Sequence, residues 1–295
     1  PEIEVISSEL EALRIDIMQG QVAGALPEVE KRLLRIQEWW QQHGCGNPVP
    51  EAPYPVSLAR ALISALAIAR TGHNAMKDWP AALRCMDEIL EAERALGRPV
   101  EEIARTRVNR AIVLMQMPER IDEAKAELEA CLTLLEGDPD ASALVLSSLA
   151  YLFNRQGDIP QAIIQQRRSL AIREQLPNPT DRAHLHHNLA NYLARSGTPT
   201  DLAESSLHRL ADLIYTLIIG LGESLKTSLH NYASDFRRAR AAGTELAVPR
   251  VEELLADPAF APLAQWLSKR EVPVDQLQSD VDQYINLARQ AGESN

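Results

Sequence analysis

A helical hairpin recurs along this chain roughly every 40 residues, and that period limits the fold more than any single residue does. The order Leu149-Ala150, Phe153, Gly157-Asp158 and Ala162 returns as Leu189-Ala190, Leu193, Gly197 and, after one inserted residue, Ala203. The small residue of the first helix recurs at Ala111, Ala150, Ala190 and Ala233, in steps of 39, 40 and 43. That of the second helix recurs at Ala82, Ala124, Ala162 and Ala203, in steps of 42, 38 and 41. Two independent landmarks share nearly one period. Such a period marks a solenoid, in which each helix pair buries its apolar face only by stacking on its neighbours. Solenoids of this kind mostly bind other proteins, so function is narrowed along with fold.

Composition agrees. Apolar residues make up 45% but aromatics only 4%, with Ala and Leu dominant, a mix that suits close-packed helices and disfavours sheet. A net charge of −11 argues against nucleic acid or an anionic membrane as the main partner. Cys45, Cys85 and Cys131 are far apart and form no CxxC pair, which fits reduced thiols in a cytoplasmic protein. The most apolar run, Leu213 to Leu221, is too short to span a bilayer, and no secretory signal is visible. The chain opens on Pro1 rather than Met, as a processed or excised part of a larger protein would.

Nearly every segment reads as helix. A first hairpin is expected near 2–20 and 27–43, with Pro27 early in its second helix. The glycines and prolines from His43 to Pro50 then break the chain. Regular pairs follow near 56–75 and 79–96, 99–117 and 119–136, 140–156 and 159–176, and 180–196 and 200–219. Asp140 and Thr180 stand where helix N-caps belong, and Gly157 and Gly197 where helices should stop. One more first helix spans about 222–242, after which four prolines cut the remainder into short helices and a last one near 274–291. The expected organisation is an N-terminal hairpin and loop at 1–50, a solenoid at 51–245 and an irregular helical cap at 246–295.

The Leu-small pair, the helix A aromatic, the turn glycine and the helix B alanine resemble the tetratricopeptide repeat family. Ser169 to Leu176, followed by His187-Asn188-Leu189-Ala190-Asn191-Tyr192-Leu193, is similar to the longer repeats of kinesin light chains. Many bacterial regulatory proteins carry such repeats. The match is good from about 140 to 205, fair from 79 to 136, weak at 1–50 and absent after 245. The resemblance implies an all-α, right-handed superhelical solenoid whose concave surface is lined by first helices.

On the first helix near 180–196, His184, Asn188, Asn191 and Arg195 fall on one face. The matching faces carry Thr227, Asn231, Ser234 and Arg238 next in the chain, and Leu144, Ser148, Tyr151 and Arg155 before it, with Asn109 one repeat earlier. An Asn or Ser thus stands two residues before the small residue, at 109, 148, 188 and 231, and an Arg five after it, at 155, 195 and 238. An amide offers a peptide unit both a donor and an acceptor, and the resemblance implies that role for the asparagines. Arginines beside them favour acidic segments through charge-assisted bonds. The competing explanation is a solvated face, with arginines offsetting the helix dipole.

Other chemistry is thinly supported. His184, His186 and His187 cluster, but only 184 and 187 share a face and no third metal ligand is evident. His43 and Cys45 are close in sequence without any sign of an activated thiolate. Gly220-Leu221-Gly222 lacks the preceding strand of a dinucleotide site. Trp79 and Trp266 read as core, and of Trp39 and Trp40 one can pack inward while the other is exposed or covers the next repeat. The expectation is therefore a non-enzymatic module without metal or cofactor, whose groove holds an extended peptide or partner helix of acidic character. An apolar patch at either end of the stack would support a homo-oligomer. The alternative is the sensor of a larger bacterial switch, such as a signalling ATPase or a caspase-like protease assembly.

Overall fold

The computed structural model describes residues 2–43, 53–241 and 243–293. Among these every regular element is helical, and none is long and apolar enough to cross a membrane. The chain divides into two compact units, Pro1–Ala141 and Ser142–Asn295.

The first unit holds α1 (Glu2–Met18), α2 (Val22–Gln42), α3 (Pro53–Ala75), α4 (Trp79–Ala95), α5 (Val100–Leu114) and α6 (Ile121–Leu134). Each packs on the next, except that α1 also lies on α3. The small residues Ala69, Ala82, Ala111 and Ala124 are fully buried at the helix contacts. Ala69 extends the first-helix series one step further back than the repeat pattern suggested. Pro27 is not at the start of α2, which begins at Val22; it stands in the sixth position and the helix continues through it.

The second unit runs from α7 (Pro139–Gln156), which begins in the first unit's last residues, through α8 (Ile159–Arg173), α9 (Pro179–Ser196), α10 (Pro199–Ile219) and α11 (Gly222–Ala241). It ends in α12 (Val251–Ala256), α13 (Ala261–Ser268) and α14 (Val274–Glu293). Ala150 and Ala190 are fully buried and Ala233 nearly so. Ala162 is fully buried too, but Ala203 is exposed. The buried small residue of α10 is Ser205, whose hydroxyl donates to the Ala190 carbonyl at 2.8 Å. The inserted residue had shifted the apparent match.

Helix caps also sit slightly upstream of their expected places. Asp138 accepts from the Ala141 N–H and Asn178 from the Thr180 N–H, so the caps precede Pro139 and Pro179 rather than falling at Asp140 and Thr180. Gly197 closes α9 with φ of 73°, a left-handed conformation that favours glycine. The terminal segment is more than a lid. Its helix α14 packs along α11, so α11 gains the partner that a second helix supplies elsewhere. Gly292 makes this contact possible, because a Cβ there would lie 3.0 Å from the Ala233 carbonyl oxygen and 3.3 Å from the Phe236 Cβ. Trp266 anchors the cap against Tyr215, with ring centroids 4.9 Å apart.

Leu189 is fully buried between α7, α8 and α9. Leu189→Ala should cost about 2–5 kcal/mol, through lost transfer free energy and the cavity left behind. Ala190→Leu should cost about 1–3 kcal/mol by overpacking. Urea unfolding followed by far-UV circular dichroism checks both.

Candidate functional site: the first-helix face of the second unit

Three first helices, α7, α9 and α11, carry the candidate residues of this unit. On α9, His184 and Arg195 are exposed and Asn188 and Asn191 are half-buried, so all four reach solvent. On α11, Asn231 and Ser234 are half-buried and Arg238 is exposed. On α7, Tyr151 and Arg155 are exposed, whereas Ser148 retains only 7% of its surface. Asn109 is exposed on α5, in the first unit. The rows expected from spacing are therefore accessible, with Ser148 contributing least.

The amides are uncommitted. Among the described residues no hydrogen bond engages the side chains of Asn188 or Asn191. The Asn231 Nδ2 is shielded from solvent and has no partner. A buried donor without a partner costs about 1–3 kcal/mol, which an acceptor brought to it would recover.

The arginines are engaged within the fold. Arg195 donates from Nη1 to the Asn154 carbonyl at 3.1 Å and also to its Oδ1, tying α9 to the end of α7. The Arg155 guanidinium lies 5.8 Å from the Tyr151 ring centre. Arg238 pairs with Asp235 at 3.0 Å, and the same carboxylate holds the buried Arg209. Since Asn154 is neutral, Arg195 keeps its charge available; Arg238 does not. The Asp235 pairing was legible as an i,i+3 neighbour, while nothing local announced Asn154, 41 residues from Arg195.

Behind this face lies a polar layer supplied largely by α10. Asp212, 5% exposed, accepts from Ser228 Oγ of α11 at 3.0 Å and faces His187 Nδ1 of α9 at 3.3 Å. One buried carboxylate therefore links three helices. His186 is 1% exposed, its Nδ1 2.8 Å from the Nδ1 of His208. The His208 Nε2 lies 3.5 Å from Glu204, which also pairs with Arg167. In the Nδ1–Nδ1 contact one ring donates and the other accepts. The His186 Nε2 is buried without a partner, and the ring stacks on Tyr215 and on Phe260.

The three clustered histidines thus diverge: His184 to solvent, His186 to His208, His187 to Asp212. Among the described residues no group of three His, Cys, Asp or Glu is placed to hold a metal. Cys85 and Cys131 are buried and burial pushes both thiols up, Cys85 to about 11. Cys45 and the break around it lie outside the described residues. Trp39, Trp40 and Trp79 are half-buried.

No family model matches the chain. No curated protein sequence matches it either. Among solved structures it is similar to the crystal structure of BtubC (BKLC) from P. vanneervenii, with a TM-score of 0.54 and 16% identity over 73% of this chain and 82% of that one. BtubC is a helical-repeat protein, and the likeness is one of fold.

Buried His186 sets an acid response. Burial, with His208 and Arg182 beside it, holds His186 well below its ordinary 6.5. The unfolded chain therefore binds a proton that the folded site refuses, and this contribution to stability is lost as pH falls below about 6.5. Glu174, raised by burial to about 7 against the pull of Arg182, acts oppositely: its folded form holds a proton between 4.5 and 7, so it favours the fold at the acid end of that window. The difference between wild type and His186→Phe isolates the first effect. The Phe variant keeps the ring stacking, and its melting temperature should fall less on acidification below pH 6.5. Parallel profiles would place the acid response elsewhere.

Proposed function

We propose that this chain is a protein-interaction module that holds an extended peptide across α7, α9 and α11 of its second unit, and that it acts by binding rather than by catalysis. The observation that carries this reading is the set of amides at Asn188 and Asn191 on α9 and Asn231 on α11, whose side chains make no hydrogen bond among the described residues. An amide that donates and accepts suits a peptide unit, and a series of them suits successive units. A helical-repeat fold like that of BtubC supports the reading at the level of architecture.

Charge refines the partner. Arg195, whose partner Asn154 is neutral, brings positive potential to the α9 part of the face, whereas Asp235 offsets Arg238 at the α11 end. Acidic residues in the peptide would accordingly lie over the end of α9. Asn109 on the first unit offers the same chemistry, one repeat earlier in the chain. The buried, protonated thiols of Cys85 and Cys131 suit a structural role in a reducing compartment such as the cytoplasm.

The test compares wild type with an Asn188→Ala, Asn231→Ala, Arg195→Ala triple variant in affinity capture from the source cell's lysate. The captured peptide-bearing partner should bind the variant at least about tenfold more weakly, since each lost bond is worth about 0.5–1.5 kcal/mol. Stability read by thermal melting should fall by no more than the two lost Arg195 bonds to Asn154 account for, about 1–3 kcal/mol. Added salt should weaken the wild-type complex by screening Arg195. Equal capture by both proteins would move the site off this face.

A further inference from the structure

We propose a second binding surface, beside the cap and distinct from the amides of the first-helix face: an open extended edge that pairs with an extended peptide of alternating apolar and basic residues. Residues 244–250 link α11 to α12 without helix, turn or bend. Their exposure alternates: Glu245 and Ala247 face solvent, while Leu246 and Val248 are half-buried against the cap core. That is the period of an extended strand. Among the described residues, no N–H or C=O of residues 245–248 takes part in a backbone hydrogen bond. Such an edge is a ready template for another strand.

A groove of about 870 Å³ lies alongside, bounded by this segment, the N-terminal half of α10 and the end of α11. Leu202, Ala203 and Leu207 give it an apolar wall, and Leu202 is 47% exposed. The rim is acidic. Glu245 and Glu253 line it and enter no ion pair among the described residues, while Asp235 and Arg238 offset each other.

These features select one occupant. A strand paired to the 245–248 edge would send alternate side chains inward to the Leu202–Leu207 wall. The others would point outward, as Glu245 does, where lysine or arginine would meet its carboxylate across the strands. A docked helix would satisfy the apolar wall but would leave the backbone edge unused.

The probe is a fluorescein-labelled peptide alternating lysine with valine, titrated against the full chain at low salt by fluorescence anisotropy. Wild type should bind it. Ala203→Trp, which fills the groove from an exposed position, and Glu245→Lys, which reverses the rim charge, should each weaken binding at least tenfold without lowering the melting temperature. A probe N-methylated at alternate residues on its pairing edge should also bind at least tenfold more weakly, because it has lost the donors that strand pairing needs. The Asn188→Ala, Asn231→Ala, Arg195→Ala variant should bind the probe like wild type, which separates failure here from failure of the first-helix site. No binding by wild type, equal binding of the N-methylated probe, or indifference to Ala203→Trp in a folded variant would overturn the proposal.

Discussion

A helix pair in this chain cannot bury its own apolar face, so everything depends on how closely one pair can approach the next. Alanine decides that distance. Where Ala150, Ala162 and Ala190 are fully buried, the missing side-chain bulk lets backbones come near enough for side chains to reach a neighbour's carbonyl. Three buried polar residues on second helices do so: Gln166 donates to the Leu185 carbonyl at 3.0 Å, Ser169 to Ala143 at 2.7 Å and Ser205 to Ala190 at 2.8 Å. Each carbonyl already accepts a helical bond and has a second lone pair to give. These bonds are directional where alanine and leucine packing is not, so they fix how one helix is rotated against the next. The accessible rows on α7 and α9 inherit their alignment from them, and that on α11 from the bond of Ser228 to Asp212.

The alanine series was legible because a small residue at a helix contact must recur wherever the contact does. It misled at Ala203, where the insertion in the α9–α10 turn put an exposed alanine two positions from the buried Ser205. Capping was present in the sequence in a form that periodicity underused. Asp138, Asn178 and Thr198 each stand directly before a proline, and Asp78 and Asp158 stand two residues before one. The cap side chain accepts from the first turn while proline fills a position whose N–H would have no helical partner. Read as a unit, that pair places each helix start to the residue, whereas Asp140 and Thr180 are simply first-turn residues.

The candidate face was half legible for a similar reason. Spacing places Asn188, Asn191 and Asn231 on accessible helix faces because a helix fixes direction within itself. It says nothing of partners on other helices, so the bond from Arg195 to Asn154 and the shared use of Asp235 by Arg209 and Arg238 were out of reach. The layer around Asp212 and His208 was hidden for another reason. Both residues lie on a second helix, just before its most apolar stretch, where polar side chains are spent on holding neighbours rather than on meeting solvent.

Both proposed surfaces of the second unit would read main chain before side chain, one through amides and the other through an unpaired extended segment. Main-chain recognition alone is indifferent to sequence, so discrimination would have to come from charge, and the two surfaces differ in its sign. Arg195 attends the first; Glu245 and Glu253 attend the second. On a chain of net charge −11 the acidic rim accords with the background, and the arginine stands out against it. Exposed charges act over about a Debye length, roughly 8 Å at physiological ionic strength, so each cluster governs little beyond its own groove. A peptide rich in one sign of charge is thereby drawn to one surface and repelled from the other. Two sites with the same hydrogen-bonding logic can then serve different partners without any difference in fold.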